Sequence, residues 1–291
     1  MTLEESILAT LAYHDIFNYP LTQEEIRKYL IEKKATFASV KNGIDQLIRA
    51  RKVGSLSEYL FLKGRKKTVI LRKKRQKYSN AKFKKALFFS KILKAVPTLK
   101  MVAVSGALAM ENSHKKDDID LVLISAKNTL WTTRFIVNLL LWPFRRDPSG
   151  KKIANRACLN LFIDESNLKI QPSNLYHAHE ICQMKPLWDR DRTYQKFISA
   201  NSWVKNFLPN WQADVERLTT NDKRKIGAKA LVFQRLALVV ENLLKNFQLW
   251  YMRSKITTER IGDTQLFFHP ANTMEAVLET YRKNLRRLKL L

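Results

Sequence analysis

Apolar positions recur at helical spacing three times in the first fifty residues. Leu3, Ile7, Leu8 and Leu11 form one face over residues 3–12. Residues 14–20 read as a loop, because Pro20 cannot continue a helix. Thr22 followed by Glu25 is a capping box that starts a second helix, expected to run to residue 32. A third fits residues 36–50, with Val40, Ile44, Leu47 and Ile48 inward. Gly43 inside it costs roughly 1 kcal/mol against Ala and points to close packing. The pattern then shortens to a hairpin over residues 53–62, closing at Lys63-Gly64-Arg65. Leu71, Tyr78, Phe83, Leu87, Phe88 and Ile92 predict one long amphipathic helix that ends before Pro97.

From residue 101 the pattern is that of strands. Residues 101–104 are apolar and rich in β-branched side chains, and 119–124 and 157–163 are further strand candidates, mostly apolar. Residues 107–111 fit a short helix, and 130–144 fit a helix on the sheet with Trp131, Trp142 and Phe144 in the core. Another helix starts near Ser173 or Asn174 and carries His177, His179 and Glu180. The two histidines, two apart, fall on different faces and form no shared metal site; His179 and Glu180 are candidates to face a cleft. Residues 229–253 read as a long helix with Leu231, Leu236, Val239, Leu243, Phe247 and Trp250 inward. The tail, 272–291, reads as a basic amphipathic helix, expected to dock on its own domain.

These elements predict an α+β fold: a small mixed sheet between an N-terminal helical module and C-terminal helices. The expected divisions are 1–65, a basic linker helix over 66–97, a sheet domain over 98–190 and a helical region over 191–291. Three helices and a hairpin resemble a winged helix-turn-helix by element order. In such a module the third helix would enter a major groove or serve protein contacts.

Charge adds a partner class. The chain of 291 residues carries a formal net charge of +27, which fits a polyanion: RNA, DNA or an acidic membrane surface. The basic residues concentrate in 63–94, and Arg72, Lys73, Lys74, Arg75 and Lys77 are candidate phosphate-backbone contacts. The two cysteines, Cys158 and Cys182, form no metal motif and no disulfide framework. The opening residues are polar and acidic, unlike a signal peptide, and no clean run of about twenty apolar residues occurs. The expectation is a soluble cytoplasmic protein without integral membrane association.

The stretch 100–125 carries the candidate chemistry. Its first strand breaks at Ser105-Gly106, where the backbone can turn tightly and approach a ligand. Asp118 and Asp120 lie two apart on the second strand, so both carboxylates project from one face, with Cα atoms roughly 6–7 Å apart. Such a pair suits hard divalent cations and the phosphates they bridge. Gly106, the gap, and Asp118-Ile119-Asp120-Leu121 resemble the signature of the polymerase-beta-like nucleotidyltransferase superfamily over about 25 residues.

The resemblance implies a metal-dependent transfer of a nucleoside monophosphate from a nucleoside triphosphate to a hydroxyl. Asp118 and Asp120 would hold Mg²⁺ or Mn²⁺, and Ser105, Gly106 and Ala107 would contact the nucleotide. Two positions depart from the pattern. Ala107 stands where the family has Ser or Gly. Asn160 occupies the middle of the next strand, where a third carboxylate is expected, and Asn cannot act as a general base. Asp164 and Glu165 could supply that carboxylate only under a different strand alignment. The alternative reading is therefore a catalytically weak or inactive protein of this fold that binds nucleic acid as a regulator.

Overall fold

The computed structural model describes residues 1–147, 150–214, 230–253, 259–268 and 272–291, with the side chains of 230–237 and 272 left aside. Helix α1 (Leu3–Asp15) opens with a complete capping box between Thr2 and Glu5. Helix α2 (Gln23–Lys28) repeats the device between Thr22 and Glu25. It ends earlier than expected, and Glu32 lies outside it with φ +56°. Helix α3 (Phe37–Arg49) packs against α1 at Gly43, where a Cβ would come 2.8 Å from Ile7 Cδ1. Glycine is what permits that approach. Strands β1 (Val53–Leu56) and β2 (Tyr59–Leu62) form the hairpin, and Leu21 bridges to Leu60.

Helix α4 (Lys67–Leu93) is long, as its periodicity predicts; its buried face is apolar toward the C-terminus, at Ala86, Phe89 and Leu93, but largely polar and cationic before that. Arg72, Arg75, Ser79 and Lys82 are buried, while Leu71, Leu87 and Phe88 are exposed. The cationic stripe is buried because fixed acceptors meet it. Arg72 forms a two-pronged pair with Glu25 at 2.7 Å, donates to Pro20 O and lies between the Tyr19 and Tyr59 rings. Arg75 donates to Phe17 O and Asn112 Oδ1. Buried charge is tolerated when its hydrogen bonds are supplied in this way.

Strand β3 (Leu99–Val104) runs into helix α5 (Gly106–Ala109) and returns as β4 (Ile119–Ser125). Helix α6 (Leu130–Leu140) crosses over to β5 (Ala157–Asp164). A 3₁₀ turn, Trp142–Phe144, follows α6, since Pro143 has no N–H to continue the helix. Trp131 is buried, but Trp142 is 71% exposed, so the expected core position of Trp142 is corrected.

Helix α7 (Leu175–Gln183) leads to β6 (Lys185–Asp189), then α8 (Thr193–Ala200) and α9 (Ala230–Met252). Strands β7 (Arg260–Ile261) and β8 (Gln265–Phe267) precede α10 (Asn272–Arg287). The C-terminal stretch is thus not wholly helical. The sheet order is β6-β3-β4-β5-β8-β7, mixed, with β4 and β5 parallel and the other pairs antiparallel. This is an α+β fold.

Two apolar layers cover the sheet. One holds Val102, Val104, Leu121 and Leu123 with Phe89 and Trp131. The other holds Met101, Ala103, Val122 and Ile124, and it is continuous with Ile7, Tyr13 and Leu47 of the first helices and Tyr281 of α10. The N-terminal module therefore shares a core with α7, α8 and α10. Docking of the tail helix on its own chain follows from the same contacts.

Helix α9 inverts its expected facing. Val239, Leu243, Phe247 and Trp250 are exposed, whereas Glu241 and Gln248 are buried. Glu241 accepts from the Trp131 and Thr132 backbone N–H groups at the start of α6, and Gln248 donates to Trp131 O. Those otherwise unmet N–H groups draw the polar side of α9 inward. Leu231 and Leu236 lie outside the described side chains. Among the described residues no helix is long and apolar enough to cross a membrane.

Candidate metal and nucleotide site

The site forms where β3 stops and β4 begins. The Ser105 N–H donates to Asp120 O at 3.2 Å. Gly106 adopts φ +57°, and a Cβ there would lie 3.0 Å from Asp120 Oδ2. The left-handed turn and the close approach both call for glycine. Ala107 is exposed at the same turn and offers only its backbone. Ser105 is buried, and among the described residues its hydroxyl has no hydrogen-bond partner.

Asp118 is delivered by a loop that α4 holds in place. Lys82, 1% exposed, donates to Asp117 O at 2.6 Å, Asn155 Oδ1 at 3.1 Å and Lys115 O at 3.3 Å. The Ser113 N–H donates to Ser79 Oγ at 3.0 Å. A lysine from the strongly basic stretch thus positions an acidic loop instead of facing solvent.

Ligand atoms of Asp118, Asp120 and Cys158 lie within 4.8 Å of one another. Asp118 pairs with Arg146 at 3.0 Å. Burial, then the neighbouring Asp118 charge, pushes the Asp120 carboxyl up to about 7. The Cys158 thiol is raised well above its ordinary value by burial and by both carboxylates, so it stays protonated and donates to Asp120. Two carboxylates converging until one resists ionisation form a site that a divalent cation would relieve. Their oxygens suit Mg²⁺ or Mn²⁺, and the protonated thiol does not. The donor set fits a hard cation through Asp118 and Asp120.

The third position differs from expectation. Asp120 pairs with Cys158 on β5, and the register shifts between Leu121 and Val122, leaving Asn160 in the bulge. Asn160 thus has no pairing partner on β4. It is 4% exposed, and its Oδ1 has no hydrogen-bond partner among the described residues. Asp164 and Glu165 lie at the far end of β5. Asp164 accepts from Ser166, and Glu165 pairs with Lys196 at 2.6 Å. Neither supplies the missing carboxylate.

The carboxylate nearest in effect comes from α7. Glu180 is held up at about 7, by burial first and by the Asp120 charge second. Ser105, Asn160 and Glu180 line one cavity. Its sequence signal is the set Tyr176, His177, Glu180, Ile181 and Met184, spaced as one side of a helix, all of which line that cavity. His179 turns the other way. It stacks on Tyr13 at 4.0 Å between centroids, and burial holds its imidazole neutral.

The basic candidates divide. Arg72 and Arg75 are buried in intramolecular contacts, which removes them from any phosphate track. Lys73, Lys74 and Lys77 are exposed. No protein-family model, curated protein or solved structure matches the chain.

Proposed function

We propose that this chain is a metal-dependent nucleotidyltransferase that moves a nucleoside monophosphate from a nucleoside triphosphate to a hydroxyl acceptor. The observation that carries the reading is the packing of the Gly106 turn against Asp120, with Asp118 at the same opening. Backbone without side-chain bulk then borders two carboxylates, the arrangement a triphosphate and its counter-ion need. The order β3, α5, antiparallel β4, α6 crossover and parallel β5 supports the resemblance drawn from the sequence.

In this reading the acceptor oxygen forms a bond to the α-phosphorus, the bond to the β-phosphate oxygen breaks, and pyrophosphate leaves with the acceptor proton released. Asp118 and Asp120 would hold Mg²⁺ or Mn²⁺, which would neutralise charge on the attacking and leaving oxygens. Ser105 and the Gly106 and Ala107 backbone border the phosphates. Arg146, paired with Asp118, supplies a cation at the same opening.

A second reading, nucleotide or nucleic-acid binding without turnover, is favoured by Cys158. This protonated thiol occupies the β5 place opposite Asp120, and the third carboxylate that the resemblance expects on this strand, at Asn160, is an amide. Calorimetric titration of each nucleoside triphosphate with Mg²⁺, against Asp118→Ala/Asp120→Ala, tests the first reading. Binding that requires both metal and carboxylates supports it, and pyrophosphate release then separates it from the second. Folded protein that binds no nucleotide overturns the transferase reading and leaves nucleic-acid binding, which titration of RNA and DNA against salt then tests.

A further inference from the structure

A cavity of about 150 Å³ opens beside Asp120, between the sheet and α7. Its wall is apolar: Val122, Ile170, Tyr176, Ile181, Phe197 and Phe267. A cavity of this size holds a six-membered ring. Met274 of α10 borders it as well.

Polar side chains interrupt that wall, among them Ser105, Asn160, His177, Glu180 and Arg260. Ser105 Oγ and Asn160 Oδ1 are buried with no hydrogen-bond partner among the described residues. Glu180, partly buried, lines the same space. Leaving a buried polar atom unpaired costs about 1–3 kcal/mol. Two of them on one largely apolar cavity point to a ligand that supplies the missing partners.

Their chemistry narrows the ligand. Asn160 Oδ1 needs a donor, and the Ser105 hydroxyl can donate to an acceptor. One hydroxyl group is donor and acceptor at once and meets both, whereas an ammonium group only donates. Arg260 also lines the cavity, donating to Gln171 O at 2.9 Å, and its charge opposes a second cation.

We propose that this cavity binds a small, ring-sized apolar molecule through a hydroxyl group that donates to Asn160 Oδ1 and accepts from the Ser105 hydroxyl. Binding stands on the cavity alone. Naming the molecule as the acceptor of the transfer rests on the nucleotidyltransferase reading, because Ser105 borders both the cavity and the Gly106 turn. The acceptor class is then a small apolar alcohol, not a polynucleotide.

The test titrates benzyl alcohol, toluene and benzylamine into the full chain, followed by NMR. Benzyl alcohol should bind at least about fivefold more tightly than either of the others, the worth of about one hydrogen bond. Asn160→Leu, which keeps the volume and removes the acceptor, should cost benzyl alcohol a severalfold loss and leave toluene unchanged. Met274→Trp, which fills the cavity from its rim, should abolish both, with circular dichroism showing the fold retained. Equal binding of toluene and benzyl alcohol, tighter binding of benzylamine, or no binding to folded wild type would overturn the proposal. Nucleotide binding fails independently. If benzyl alcohol binds and no nucleotide does, the site stands and its role as an acceptor site falls. If nucleotide binds and no alcohol does, the cavity proposal falls alone.

Discussion

Asp120→Asn should stabilise the protein while disabling the site. Asp120 is pushed up from 3.8 to about 7, by burial and then by Asp118. A carboxyl raised in the folded state leaves stability intact below its unfolded value of about 4. Stability is then lost as pH rises toward 7 and the buried group is forced to ionise. At pH 8 the full shift corresponds to about 4 kcal/mol, at about 1.4 kcal/mol per tenfold. Asp120 keeps some solvent contact, which screens Asp118, so about half of that, about 2 kcal/mol, is expected. The amide oxygen still accepts from the Cys158 thiol, so the packing survives the exchange. Removing the charge also relieves Glu180, which Asp120 holds up, and this adds in the same direction. Urea unfolding followed by tryptophan fluorescence, with a chelator present, would read the difference. The variant should gain about 2 kcal/mol at pH 8 and nothing at pH 4. A variant less stable than wild type at pH 8, or a gain independent of pH, would refute the account of strain between the two carboxylates.

Gly106→Ala places a Cβ 3.0 Å from Asp120 Oδ2 in a left-handed backbone and should cost about 1–2 kcal/mol. Metal-dependent nucleotide binding should fall at least about tenfold by calorimetry while far-UV circular dichroism is unchanged. Arg72→Met takes the cationic partner from Glu25 and a donor from Pro20 O and should destabilise the fold by about 3 kcal/mol in urea. Adding Glu25→Gln to it should cost much less than the sum of the two single changes, since both break one pair.

Much of the local architecture was legible in the sequence. The capping box at Thr22 acts within four residues, and Gly106 with Asp118 and Asp120 belongs to one strand-turn-strand unit. Such features depend on neighbours along the chain, so periodicity and residue type suffice to place them. Strands over 101–104, 119–124 and 157–163 were readable for the same reason. The hairpin of β7 and β8 was not, because strands of two and three residues carry no period.

What failed from sequence was facing. Arg72, Arg75 and Lys82 read as a solvated phosphate track, yet carbonyls and carboxylates from distant segments hold them inside. Helix α9 exposes its apolar residues because Glu241 meets the start of α6, a partner over a hundred residues away. The bulge at Asn160 moved Cys158 into the cluster, and a register shift leaves no mark on composition. Glu180 gained its place beside Asp120 only through the docking of α7 on the sheet. The sequence by itself determined the elements and the paired carboxylates, since helix caps, turns and strand alternation are local. Tertiary structure alone decided which charges are buried and which groups share the cavity, because a buried polar group depends on partners that the chain supplies from far away.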